Sequence, residues 1–535
     1  MKKYKRLVLI IIGLIAVILI VISLFANPFL EKKIEAFLQN NMPDHIENSY
    51  ESISVNVIGG TLTIEKPSLI LKTKDSSLVH THLKMKSFVV EDISYWDYLF
   101  NDEIHLDEIL FEELQLTYYK DHYKKKKDTA KTKKPLKLPK PILIDNIVFK
   151  NSSIGIYQKS VDSTILFSKN INLVLMDMQL NETTLSQRIP VKFGAISATT
   201  DSIFLKVGQY ENLSFQKFEF EDGNISLNGI QLKTKYSREE LSKIIAKERD
   251  HFNVKVEAFK INNLDFGFEN DTLYVKSNLI TVATPDAAIY RDKLVADDHG
   301  IKKLYSESIR DLPIKLTIDS ISMTNGRVEY SEKVFQENTA GVLTISKINA
   351  GISDISNTYT APEKTTISVE AIFMKDTPIT ANWSFDTSSL GDEFTFKGTA
   401  GKMDASDMNV FTAPLLNAEL EGQIHETIFS ITGDYNQSII NLSQNYDDIK
   451  IEILSKKSKK RKKALSSIAN VFVHDDSKSD GETFNNVTAN VSRDKTKSFF
   501  NYLASNIKVA LISNFTKKKN KKSKEDKRKA RKQKN

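Results

Sequence analysis

The sequence has no cysteine. Disulfide bonds, thiolate metal centres, iron–sulfur clusters and cysteine nucleophiles are therefore excluded. G-x-S-x-G, a phosphate-cradling P-loop and H-E-x-x-H are missing too, which removes the common signatures of serine hydrolases, nucleotide hydrolases and zinc proteases. The nine histidines are scattered. His80 and His82 would share one face of a strand, but no third ligand stands near them, so they read as a solvated pair and not a metal site. Acidic residues are abundant yet isolated along strand-like segments, and no carboxylate pair of the glycosidase kind is visible. The two tryptophans, Trp96 and Trp383, read as core or rim positions. The expectation is a protein without catalytic residues, metal or cofactor, and not an enzyme.

One long apolar run is present. Residues 7–26 carry no charge and follow Lys2, Lys3, Lys5 and Arg6. Twenty residues suffice for a helix to cross a hydrocarbon core of ~30 Å. A signal peptide has a shorter apolar core and a small-x-small cleavage site, whereas Asn27-Pro28-Phe29-Leu30 follows here. The reading is an uncleaved anchor with a cytoplasmic basic end at 1–6 and a transmembrane helix at 7–26. A short helical linker at 27–48 is expected next, stopped near Pro43.

The body of the chain lacks a net basic charge. Of the formal +7, the segment 517–535 supplies 12 Lys/Arg against Glu525 and Asp526, so the remainder stands at −3. Two further basic runs, 124–140 with nine Lys and 456–463 with seven Lys/Arg, interrupt it. A nucleic-acid-binding body is not indicated. Residues 456–515 read as a basic run followed by amphipathic helices, with Phe499, Phe500, Leu503, Ile507, Ala510 and Leu511 on one face. Residues 516–535 read as a disordered Lys-rich tail, either simply solvated or holding anionic headgroups at ~1 kcal/mol per Lys.

Between these ends, at 49–455, the apolar period is two. Ile53, Val55, Val57, Leu62 and Ile64 flank Gly59-Gly60, which predicts a two-residue hairpin pairing Val57 with Leu62 and Val55 with Ile64. A frame then recurs, with apolar residues three and one before an anchor and two, four, nine and eleven after it. Asp107, Asp145, Glu257 and Asp319 are acidic anchors, and Gln216 anchors a fifth copy. Turn-forming residues lie near six after each, such as Asn325-Gly326 after Asp319, and predict a hairpin. The parity shift at the anchor predicts a β-bulge there.

These parts resemble the AsmA-like proteins of diderm bacteria. The resemblance rests on the anchor, the short helix, the pair around Gly59-Gly60, the unit Asp319-Ser-Ile-Ser-Met-Thr-Asn-Gly-Arg-Val-Glu-Tyr330, and the stretch holding Tyr446-Asp447-Asp448-Ile449-Lys450-Ile451-Glu452. It implies a mainly β fold: an elongated, bulged, twisted antiparallel sheet forming a trough with an apolar inner face. It also implies an inner-membrane, periplasmic protein that carries or shields phospholipid between two membranes. On that reading Ile147, Phe149, Ile154, Phe218, Phe220, Ile261, Phe266, Ile321, Met323 and Val328 line the groove and phospholipid acyl chains are the partner. The competing expectation is a non-transporting envelope scaffold or a regulator of outer-membrane protein assembly, its inner face filled by side chains.

Overall fold

The computed structural model describes residues 25–73, 78–123, 138, 140–185, 187, 191–359, 363–453 and 484–516. The run 7–26, apart from Phe25 and Ala26, lies outside them. So do the basic run 456–463, residues 464–483 where the first of the amphipathic helices is expected, the tail beyond 516, and the run 124–140 apart from Leu138 and Lys140. No described helix is long and apolar enough to cross a membrane. The described chain is mainly β, mostly antiparallel, and falls into two compact units. The first holds residues up to Leu232 with Ala258–Leu264, and the second holds Lys233–Glu257 with the chain from Asp265.

In the first unit a helix spans 25–40. It lies along the edge strand Ser52–Asn56 and satisfies amides that an exposed edge would leave open. The Val57 amide donates to Asn27 Oδ1 at 2.9 Å and the Val55 amide to Glu31 Oε1 at 3.0 Å. Donors two residues apart on a strand match acceptors four apart on a helix, because both steps advance by about 6 Å. The next turn differs from expectation. Val55 pairs with Leu62 and Ile53 with Ile64, so the loop is Val57–Gly60 and not Gly59-Gly60 alone. The Gly59 amide donates to Asn56 Oδ1, which starts the turn two residues early. Because the register moves by two, the apolar faces survive.

The frames are the larger correction. Asp145 and Asp319 do not open hairpins. Ile142–Tyr157 and Lys315–Lys333 are single long strands, and Asn151 and Asn325 lie inside them. Phe266, expected opposite Ile261, pairs with Val275. Phe111 and Leu116, expected to face each other, both pair with other strands. Only the Gln216 copy folds back as expected, pairing Phe220 with Ile225 and Phe218 with Leu227 across Asp222-Gly223.

What does recur is a left-handed residue six after each anchor: Glu113, Asn151, Asp222, Asn263 and Asn325, with φ between 47° and 52°. The ladder shifts register around Asn151 and Asn325, so the bulge lies there. It does not lie at Asp145 or Asp319, where the ladder passes unshifted. At three of the five the freed amide is met by an asparagine side chain. Asn151, Asn263 and Asn325 donate to the side-chain oxygens of Asn172, Asn224 and Asn349, at 3.0, 3.2 and 3.0 Å. Within the first unit, Ile104–Glu112 and Gln115–Tyr119 run parallel to Ile142–Tyr157 at a constant offset, placing the Asp107 frame beside the Asp145 frame. The second unit repeats this, with Thr272–Ala283 and Asp286–Asp292 beside Lys315–Lys333. That register exposes a partial copy anchored on Asn278, with left-handed Thr284 but with Ser277 in the apolar place before the anchor.

A left-handed β-branched residue is strained, whereas glycine is not. Asn325→Val is therefore expected to lower stability by about 2 kcal/mol, with Asn325→Gly close to the parent. Paired denaturant titrations read the difference, and equal midpoints for Val and Gly would remove the left-handed requirement.

The second unit ends in the helix Phe499–Thr516, packed against its own sheet. Phe499, Tyr502, Leu503 and Ala510 are buried, and Trp383 stacks on Phe499 with ring centroids 4.5 Å apart. Asn506 and Asn514 also turn inward. Ser438 Oγ donates to Asn506 Oδ1, and Asn514 Nδ2 donates to Gln444 Oε1. Phe500, expected on the apolar face, is 61% exposed. The buried stripe runs through Tyr502 and Asn506, because the sheet accepts hydrogen-bonded amides that a hydrophobicity pattern counts as solvent-facing. One strand that the sequence reading omitted, Asn485–Ser492, pairs with Gln437–Ile453.

Candidate functional site

Following the registers strand by strand shows how the apolar residues align. In the second unit one row runs Ile280, Ile321, Ile352, Ile367, Trp383, Phe396, Ile431, Ile440, Ala489, crossing nine strands without a polar residue. The next row on the same face runs Val282, Met323, Ala350, Val369, Ala381, Gly398, Phe429, Leu442, Val487. At ~4.8 Å per strand these rows extend about 38 Å. The intervening row points to the other face: Thr281, Ser322, Gly351, Ser368, Asn382, Lys397, Ser430, Asn441, Thr488. Two cavities, of about 610 and 480 Å³, are lined mostly by residues of this second, polar face.

The apolar rows are covered unevenly. Ile431 and Ile440 are fully buried beneath the C-terminal helix cluster, which reaches as far as Ile367 and Trp383. Met323, Ala350, Val369 and Ala381 are only half-buried.

The first unit carries comparable rows. One runs Val55, Leu62, Val90, Ile109, Ile147, Leu175, Ile196. Another runs Ile53, Ile64, Phe88, Phe111, Phe149, Leu173, Ala198, Phe220, Ile225. Phe111 stacks on Phe149 at 4.6 Å between centroids and tilts against Phe88 at 5.2 Å. Of these two rows only Ile53 and Val90 fall among the buried hydrophobic residues. The opposite face here is mixed, since Val89, Leu110, Val148 and Val174 form the centre of the row between.

The residues expected to line a groove are distributed as follows. Ile147, Phe149 and Phe220 belong to rows of the first unit, and Ile321 and Met323 to rows of the second. Ile154 pairs with Leu116 and Ser168, beyond the Asn151 bulge. Phe218 lies between Thr200 and Leu227. Val328 lies between Ala287 and Ile345. Ile261 is half-buried and Phe266 is 44% exposed. The sequence reading missed Val90, Leu173, Ile352 and Phe396 as row members. Their alternation was visible, but their registers were not.

A polar cluster also forms where the parallel frames meet. His105, Asp107 and Asp145 bring their ligand atoms within 4.8 Å of one another. Both His105 ring nitrogens are engaged, Nδ1 with Asp97 at 3.0 Å and Nε2 with Asp145 at 2.9 Å. The hydrogen bond to Asp145 leads in raising the His105 pKa above its ordinary value, and Asp97 adds to it. With Asp107 and Asp145 exposed, the group reads as a solvated ion-paired set.

Neither the known protein-family models nor the curated proteins contain a match to this chain.

Proposed function

We propose that this chain is a membrane-anchored protein of the bacterial inner membrane whose sheet, curved into a trough, holds phospholipid acyl chains on an apolar face. Its N-terminus would be cytoplasmic and its bulk periplasmic, and it would carry or shield lipids in support of outer-membrane assembly. The observation that carries this reading is the paired set of rows in the second unit. Two adjacent rows are apolar across nine strands while the row facing the other way is polar. A packed sandwich would bury its apolar face throughout, but Met323 to Ala381 stay half-buried. An acyl chain laid along such a row gains ~0.8 kcal/mol per methylene removed from water. Specificity for one headgroup is not required by these residues.

A scaffold reading draws on one feature. The C-terminal helix fills the rows over Ile431 and Ile440 as a packed core would. The full chain, purified in mild detergent and washed free of bulk lipid, is expected to retain phospholipid measurable by mass spectrometry. Retention no greater than that of an unrelated single-anchor protein would favour the scaffold.

A further inference from the structure

The segment joining strand Ser87–Ile93 to strand Ile104–Glu112 contains Tyr95, Trp96, Tyr98, Leu99 and Phe100. All five are exposed, Trp96, Leu99 and Phe100 by about two thirds of their surface. Burial inside the unit does not explain them. Trp96 and Phe100 instead pack on each other, with centroids 4.3 Å apart. The Lys140 ammonium lies 3.8 Å from the Tyr98 ring centroid and also donates to the Tyr98 carbonyl. Lys140 also pairs with Asp102 at 3.3 Å, and an aromatic group bearing a cation suits the boundary between acyl chains and headgroups.

Its position in the fold indicates which surface it meets. Asn27 directly follows the apolar run 7–26 and holds the Val57 amide at the end of strand Ser52–Asn56. Gly60 closes that turn, and its carbonyl accepts from the Ile93 amide at 3.0 Å. The approach is so close that a Cβ on Gly60 would lie 2.9 Å from the Ile93 nitrogen. Ile93 ends its strand, and only Ser94 separates it from the aromatic segment. The segment therefore lies at the sheet end where the apolar run arrives, while the helix 25–40 leads away from that end along the edge.

We infer that the 95–100 segment is a membrane-interface contact that seats the first unit on the bilayer into which the run 7–26 inserts. The occupant is the headgroup–acyl boundary of a phospholipid bilayer. This rests on the anchored reading proposed above.

The chain contains only two tryptophans, so Trp383→Phe leaves Trp96 as the sole indole reporter. The full-length variant is reconstituted into vesicles of phosphatidylethanolamine and phosphatidylglycerol, with acyl chains brominated near the headgroup end or near the chain terminus. The protein is expected to float with the vesicles. Shallow bromines should quench at least about half of the Trp96 emission, deep bromines should quench less, and aqueous acrylamide should lose access. Flotation with Trp96 unquenched and open to acrylamide would overturn the interface contact alone and leave the surface to a protein partner. A chain that fails to float would overturn the anchor and this contact together. Phe100→Asp supplies a second readout, expected to weaken shallow quenching at least about threefold while flotation is retained. Unchanged quenching in Phe100→Asp would also overturn the contact.

Discussion

Met323→Asp should leave the protein folded and remove acyl-chain contact at that point of the sheet. Met323 lies in an apolar row between Val282 and Ala350 and is only half-buried. A carboxylate there can turn toward water, so the loss of stability should stay within about 1 kcal/mol. For a lipid the consequence is different. A charge in the row interrupts contact with two or three methylenes at ~0.8 kcal/mol each, enough for a drop of roughly tenfold or more in occupancy. A photo-crosslinking residue at Val369, two strands along the same row, would report that loss in the full chain in membranes. Phe220→Asp, in the row running from Ile53 to Ile225, is the equivalent test in the first unit. A variant that stays folded with undiminished lipid crosslinks would rule out passage along that row. One that melts far below the parent would favour the filled scaffold.

Ile440→Asp should behave in the opposite way. Ile440 is in the same row as Ile321 but is fully buried, beneath the cluster formed by Phe499, Tyr502 and Leu503. An aspartate there would have no cation among those apolar neighbours. Burying an unpaired charge costs several kcal/mol, and the lost packing adds to it. The C-terminal helix should detach, with a large fall in melting temperature and rapid proteolysis near 499. Ile440→Val, which removes one methylene, should cost only about 1 kcal/mol. An Ile440→Asp protein that melts like the parent would mean that the helix does not seal this end. The contrast between the two aspartates separates an open stretch of the apolar face from a closed one in two adjacent rows of that face.

The sequence by itself determined the element types and the two-fold periodicity. Alternation over 366–373 and 379–385 reads directly as strands, and the strands Thr365–Phe373 and Thr377–Phe385 form there, because a half-buried strand must present every second residue to the apolar side. The capping box of Ser237 with Glu240, a Ser three residues before a Glu, is a local signal of the same kind, and both of its hydrogen bonds form. The recurring frame was legible as a spacing, and so was the need for turn-tolerant residues such as Asn151 and Asn325.

Tertiary structure decided what those residues do. Asn-Gly permits positive φ, and positive φ serves a reversing turn or a bulge in a strand that runs on. Asn172 and Asn349, together with a parallel neighbour at constant offset, select the bulge. Asp222-Gly223 does reverse the chain. None of those partners is close in sequence. Only the registers could show that Ile280, Ile321, Ile352 and Ile367 stand side by side, because a two-residue slip changes every cross-strand neighbour while leaving the alternation untouched.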